Sequence, residues 1–376
     1  MHLINTHTHV TSSSPSQFRI FTSDPIDSQH PNAPTRHQTA ITFRHGTALL
    51  TRRETESKAF KPSVQIHLKK MSANNTKQDL LVMTAPHPLR PAIQSYKLKM
   101  QPIQFLRKDI TVFTSAIFQT TTTLLQTPNA IFLIDPNWLP HEIVRIKEYL
   151  ESVRKDRRLY LVFTHSDYDH IIGYGAFPDA RVIASEAFAR KKDKEKDVHE
   201  AVDWDNQHYV YRDYPILYPR VDIVIDKDGN AMHFDGTVLT FYFAPGHTKE
   251  GMYLIFEPAG AWIAGDYLSD VEIPLIEDSL DAYRRTMAKT DRILRAHQIN
   301  WLVPGHGTVT DSRDEILRRR DHATEYLDDL EHAIKTNGPF PANKYRQRYP
   351  FWNSLQKAHS NQLLRWSGSK GQPTSV

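Results

Sequence analysis

The sequence of 376 residues contains no cysteine. That absence excludes disulfides, iron–sulfur clusters, thiolate zinc sites and a cysteine nucleophile. No apolar run reaches the about 18 residues that a membrane-crossing helix needs, so no membrane partner is expected. The start lacks an apolar core of about 7–15 residues behind a basic end; no signal peptide is therefore expected, and a cytoplasmic location is. Apolar residues are scarce as well: 39% is low for a chain that folds throughout.

Neither sign of charge dominates, since 47 Lys and Arg against 43 Asp and Glu leave +4. The balance is uneven along the chain. Residues 1–99 hold 13 basic and 5 acidic side chains, a net +8, and the remainder carries −4. The first 99 residues are rich in Ser, Thr, Pro, His and Gln and keep no sustained period of 3.6 or 2. Such a composition cannot offset the entropy of ordering, so a disordered basic extension is expected over 1–99, with isolated strands only at short runs such as 40–43 and 80–83. The positive sign belongs to that extension. The acidic remainder would repel a polyanion, and no nucleic-acid partner is expected.

From residue 100 the texture changes. Runs at 110–114, 121–125 and 130–134 read as strands separated by turn residues. Residues 140–153 read as a helix with Ile143, Ile146, Leu150 and Val153 on one face. Further strands are expected at 159–163, 181–184, 221–225, 237–243, 252–256, 261–264 and 299–303, with Ser185 capping the helix after the second. Helices are expected at 281–296 and 313–334. Strands in meanders, then strands alternating with helices, twice over, give an α/β sandwich with helices outside two sheets. The domain reading is an extension over 1–99, a catalytic domain over 100–335, and a helical extension with a tail over 336–376. The aromatic and basic stretch at 346–366 suits either packing on the sandwich or a homodimer.

Chemistry concentrates at strand ends. The run at 159–163 leads into Thr164-His165-Ser166-Asp167-Tyr168-Asp169-His170, four ligand-type side chains within six residues. A loop leaving a strand can fan such groups around one point, and imidazole with carboxylate suits Zn, Fe or Mn. Three further strands end in Pro245-Gly246-His247-Thr248, Gly265-Asp266 and Pro304-Gly305-His306-Gly307, and an earlier one ends in Asp135-Pro136. Any one of these reads as an ordinary turn; five in this order do not.

The order resembles the metallo-β-lactamase-fold hydrolase superfamily, over about residues 100–310 and in all five of its motifs. The resemblance implies a four-layer αββα sandwich with a two-metal site along one sheet edge. It implies that His165, Asp167 and His247 bind the first metal and Asp169, His170 and His306 the second, with Asp266 bridging both and Asp135 bracing the loops from behind. It also implies hydrolysis by a metal-bridged hydroxide that Asp169 orients. Two divalent ions are expected, zinc first, with iron or manganese as alternatives. One position departs from the family pattern, because Asp167 stands where His-x-His-x-Asp-His has its second His. If Asp167 ligates, the first site becomes two imidazoles and a carboxylate, a harder set that favours Fe or Mn more than three imidazoles would.

The bridging Asp266 and the missing cysteine set the chain apart from antibiotic-hydrolysing β-lactamases, and the stretches at 164–173 and 244–251 look most like glyoxalase-II-type hydrolases and lactonases. A small ester, thioester or lactone is the expected substrate. The alternatives are a phosphodiesterase of the same fold and a non-haem di-iron oxidoreductase of the flavodiiron type, which carries Glu where Asp167 stands. Residues 190–222 open with a charge run at 191–197, ordinarily a solvated helix face, and then turn aromatic, with Trp204, Tyr211 and Tyr214 around Arg212; this is either a lid over the site or packing on the sandwich. Tyr168, Tyr267, Tyr211 and Arg212 are the substrate-contact candidates. His7 and His9 have metal-like spacing but no ordered surroundings. His199, His208, His322 and His332 read as surface residues.

Overall fold

The computed structural model describes residues 103–368 and, before them, only the backbone of five short strands: β1 (His9–Ser14), β2 (Gln17–Phe21), β3 (Thr39–Arg44), β4 (Thr47–Arg52) and β5 (Ile66–His67). These pair antiparallel in sequence order within a unit spanning residues 1–98, and the run at 40–43 falls inside β3. The expected disorder of 1–99 otherwise lies outside the described residues, as do the side chains of His7 and His9.

The second unit begins at residue 99. Its first sheet has seven strands: β6 (Ile103–Leu106), β7 (Ile110–Thr114), β8 (Thr121–Gln126), β9 (Ala130–Ile134), β10 (Arg158–Val162), β11 (Arg181–Ser185) and β12 (Ile223–Ile225). They lie side by side in that order, antiparallel up to β9 and parallel from β9 to β12. The second sheet holds β13 (Asn230–Phe234), β14 (Thr237–Phe243), β15 (Met252–Glu257), β16 (Ala261–Ile263) and β17 (Trp301–Val303), antiparallel except for the β16–β17 pair.

Side-chain alternation builds the layers. In β9, Ala130, Phe132 and Ile134 face the second sheet, where they meet Leu239, Phe241, Leu254 and Ile263. Ile131 and Leu133 point the other way, against Ile143, Ile146 and Leu150 of α1 (Pro140–Arg154). The outer face of the second sheet presents Tyr253, Ile255 and Trp262 to α5 (Leu280–Ala296) and α6 (Arg313–Thr336). Tyr253 and Trp262 are fully buried and meet edge to face at 5.4 Å, a geometry worth about 0.5–1.5 kcal/mol beyond area burial. Helix, sheet, sheet, helix is the αββα sandwich expected from the sequence.

Several elements differ from the sequence reading. β6 and β13 were not expected; β13 alternates between half-buried and exposed positions, too weak a pattern to stand out. α2 (Tyr168–Ile171) and α3 (Glu186–Ala189), the latter capped by Ser185, are single turns, whereas α4 (Lys194–His208) runs beyond the charged stretch into the aromatic one, and Asp197 and Ala201 face inward. The C-terminal α7 (Ala342–Arg348) and α8 (Trp352–Gly368) pack on the sandwich: Tyr345, Tyr349, Trp352 and Leu355 join the core beneath α6.

Candidate metal centre

The C-terminal ends of β9, β10, β14, β16 and β17 reach one edge, and each delivers its polar residue there. Tight backbone makes this possible. Gly246 has φ 131° and lies against the backbone of Tyr283 in α5, where a β-carbon has no room. Gly305 lies against Asp266, so the turn before His306 also requires glycine. The two sheets are stitched at this edge by Thr121, whose N–H donates to the Gly305 carbonyl at 2.7 Å and whose hydroxyl donates to the Pro304 carbonyl at 2.6 Å.

Seven ligand-type side chains converge. Potential ligand atoms of His165, Asp167, His247 and Asp266 lie within 4.8 Å of one another, and so do those of Asp169, His170 and His306. Asp266 sits between the groups. One of its oxygens is 3.0 Å from His170 Nε2; the other is 3.2 Å from His247 Nε2 and 3.2 Å from His306 Nε2. Asp167 faces this centre, with Oδ2 3.1 Å from His247 Nε2.

The outer nitrogens of the imidazoles are engaged. Asp135, at φ 49° in the left-handed region that Asp tolerates better than most residues, accepts from the Thr164 N–H at 2.9 Å, from the Thr164 hydroxyl at 2.5 Å and from His170 Nδ1 at 3.0 Å. The Thr164 hydroxyl in turn accepts from His165 Nδ1 at 3.0 Å. His247 Nδ1 donates to the Leu275 carbonyl at 2.8 Å, and His306 Nδ1 to the Phe118 carbonyl at 3.0 Å. With each Nδ1 so occupied, each Nε2 is turned into the centre.

The inner atoms fit cations. His165 Nε2, His247 Nε2 and Asp266 Oδ1 are buried and make no hydrogen bond. Their near contacts are the charged groups of the cluster itself, at 3.0–3.5 Å. Three carboxylates and four imidazoles so clustered could hold divalent ions. The field there is strong. Burial opposes ionisation of Asp266, yet His306, His170 and His165 hold its pKa well below the usual carboxylate range. Burial also opposes a charged His170, but Asp266, Asp169 and Asp135 raise its pKa well above the ordinary imidazole value.

Some candidates stand elsewhere. Tyr211 is 91% exposed and does not face the centre. The Arg212 guanidinium is buried against Asp205, the Trp138 carbonyl and the Tyr214 hydroxyl, so it braces the 205–214 turn and does not face a substrate. Tyr267 is 2% exposed; its hydroxyl accepts from the His247 N–H and donates to the Ala244 carbonyl, so it supports the His247 loop from the core. Tyr168 stays beside the centre, half-buried, with its ring edge-on to Trp138. His199, His208 and His332 are exposed and His322 is half-buried, all away from the cluster.

Other residues had no sequence signal. Glu272 approaches His306 Nδ1 at 3.5 Å from an irregular loop. The charge run at 191–197 is only partly solvated: the Lys191 ammonium donates to Ser166, Asp197 and Glu250 behind the ligand loop, and both carboxylates are buried. The Thr120 hydroxyl lies 3.4 Å from Asp169 and accepts from the Trp138 indole N–H at 3.0 Å.

Fold and site together define a hydrolase-type αββα scaffold with clustered His and Asp side chains that could hold divalent metal. Residues 116–331 match the family model for the metallo-beta-lactamase superfamily, and the chain belongs to that superfamily. Similar solved structures include a metallo-beta-lactamase from Cronobacter sakazakii mutated in its HARLDQ motif, at 20% identity over 63% of this chain and 99% of that one, with a TM-score of 0.47. A metallo-beta-lactamase family protein from Thermus thermophilus is similar at 18% identity, 70% and 95% coverage and a TM-score of 0.48. An archaeal superfamily protein from Sulfolobus tokodaii aligns at 17% identity, 59% and 87% coverage and a TM-score of 0.43.

Among the described residues no helix is long and apolar enough to cross a membrane.

Proposed function

We propose that the chain is a dinuclear metal-dependent hydrolase of a small ester, thioester or lactone. One observation carries the reading: three buried polar atoms without hydrogen bonds, His165 Nε2, His247 Nε2 and Asp266 Oδ1, point into a centre already ringed by carboxylates. His165, Asp167 and His247 would hold one ion and Asp169, His170 and His306 the other, with Asp266 shared. Bound divalent ions supply an activated water at neutral pH and polarise the bond it attacks. Zinc is the proposed metal, with iron or manganese as alternatives, and the substrate a small molecule met in the cytoplasm.

The chain's own groups divide the remaining work. Asp169 Oδ2 lies 3.3 Å from His306 Nε2 and 3.4 Å from the Thr120 hydroxyl. From there it would accept a hydrogen bond from the attacking water and aim its lone pair. The Tyr168 hydroxyl, kept protonated mainly by burial and then by Asp169 and Asp167, is a donor at the rim for a substrate oxygen. Trp138 and the 115–120 hairpin, clamped to α1 by Glu142 through Ser115 and the Ala116 N–H, shield the Asp169 side from bulk water.

A second reading, a di-iron oxidoreductase, draws on the carboxylate of Asp167 facing the centre. One experiment separates the two. Protein purified without added metal is analysed for elements and assayed on an ester, thioester, lactone and phosphodiester panel. Two zinc or manganese ions per chain, with turnover lost in Asp169→Ala and His247→Ala, is the expected result. Two irons, reduction of oxygen or nitric oxide, and no hydrolysis would overturn it.

A further inference from the structure

One chain of hydrogen bonds that reaches the centre begins outside residues 116–331, in α8. Gln362 is buried and its amide is fully committed. Its Oε1 accepts from the Ile276 N–H at 2.6 Å, and its Nε2 donates to the Pro274 carbonyl at 3.1 Å. Nε2 also donates to the Tyr326 hydroxyl of α6 at 3.0 Å, which fixes the amide's orientation; the Tyr326 hydroxyl pairs with His359 Nδ1 at 2.8 Å. The two backbone groups it holds flank Leu275 on either side. The Leu275 carbonyl is the acceptor for His247 Nδ1.

This amide holds the 274–276 segment much as a neighbouring strand would, on a loop with no strand beside it. A carbonyl that must orient an imidazole needs its own peptide planes fixed, because rotation of either plane swings the acceptor away. Two bonds from one side chain fix both. The next residues bind back: the Glu277 N–H donates to the His247 carbonyl at 2.8 Å, and Arg365, one turn after Gln362, donates to the Glu277 carbonyl at 2.6 Å.

We infer that Gln362 is a positioning residue for His247, acting through the Leu275 carbonyl, so that α8 sets how well the first half of the centre holds metal. The inference rests on the dinuclear reading above. Because it concerns binding, it is tested with the metal alone: the full chain, stripped and titrated with zinc against a chelator, and with cobalt(II) as a spectroscopic probe.

Gln362→Leu is similar in size and removes all three bonds, to Ile276, Pro274 and Tyr326. Its zinc affinity in the first half should fall about 10–100-fold, the range for groups that orient a ligand, with the second half unchanged and one of the two cobalt bands altered. Gln362→Met, unbranched like glutamine and without its bonds, should lose as much and supplies a second folded variant if the leucine is not tolerated. Leu355→Ala, a core truncation on the same helix, should lower the melting temperature and leave both affinities unchanged. In a His247→Ala background Gln362→Leu should cost no further affinity, since the ligand it positions is gone. Unchanged zinc affinity in both Gln362 variants, or an equal loss in Leu355→Ala, overturns the inference while leaving the dinuclear reading intact. A wild-type chain that binds no second ion overturns both.

Discussion

The two halves of the centre are held in different ways. In the Asp169, His170 and His306 half, His170 leans on a buried carboxylate, Asp135, and His306 on the Phe118 carbonyl with Glu272 nearby. In the His165, Asp167 and His247 half the direct partners are neutral: the Thr164 hydroxyl and the Leu275 carbonyl. The exposed edge is also on this side, because the Asp167 side chain is 22% exposed whereas those of Asp169 and His170 are 9% and 0%. A carboxylate behind an imidazole raises its basicity; a carbonyl only aims it. The second half thus has a carboxylate directly behind one of its imidazoles and the first has only neutral partners, so the two should fail to different mutations.

The largest expected effect isolates the first half. If Asp167 ligates as proposed, Asp167→Ala removes a charged ligand and should cost that half more than the about 100-fold at which outer partners stop, with the other ion retained. Metal content after dialysis against a weak chelator checks it; two ions held with wild-type affinity would show that Asp167 does not ligate. Asp135→Ala is the complement. It takes the carboxylate from His170 and leaves the Thr164 hydroxyl without an acceptor, so the second half should lose about 10–100-fold and the first, reached only through Thr164, less. Equal losses in both halves, read by zinc titration, would erase the distinction.

How much of this was legible beforehand follows the same division. The candidate ligands were readable because each follows an apolar run: His165, Asp167, Asp169 and His170 crowd one loop, and His247, Asp266 and His306 each stand beside a glycine. The braces were not. Leu275 acts through a carbonyl, a group every residue has, and Gln362 lies 86 positions from the Ile276 N–H it accepts. Tyr267 and Tyr168 each adjoin an Asp ligand and look alike in sequence, yet one hydroxyl is spent inside the core and the other sits at the rim. Lys191 and Asp197 read as a solvated face because their partner, Glu250, lies beyond β14. The layered fold was readable from periodicity, but β13, with mixed burial, was not.

The smallest effect uses protons to tell the halves apart. Burial disfavours a charged His247, but Asp167 and Asp266 raise its pKa well above the imidazole norm. The same opposition at His306, with Asp266 and Glu272 prevailing, lifts it to about 10, and His170 is raised well above the norm too. At neutral pH these rings keep protons that a metal must displace, whereas Asp266, held low, is already ionised. In the metal-free chain the raised rings stabilise the fold fully below the ordinary imidazole value, and that contribution is lost as pH climbs, through about 10 for His306. Metal affinity runs the opposite way and rises with pH. Two of the three raised rings belong to the second half, so its affinity should climb more steeply. Between pH 7.0 and 7.5 one displaced proton gives about threefold and two give about tenfold. Zinc calorimetry in buffers of unlike ionisation heat counts those protons directly. A count of zero, or a larger count for the first ion than for the second, would reverse the assignment of charge tuning to the Asp135 side.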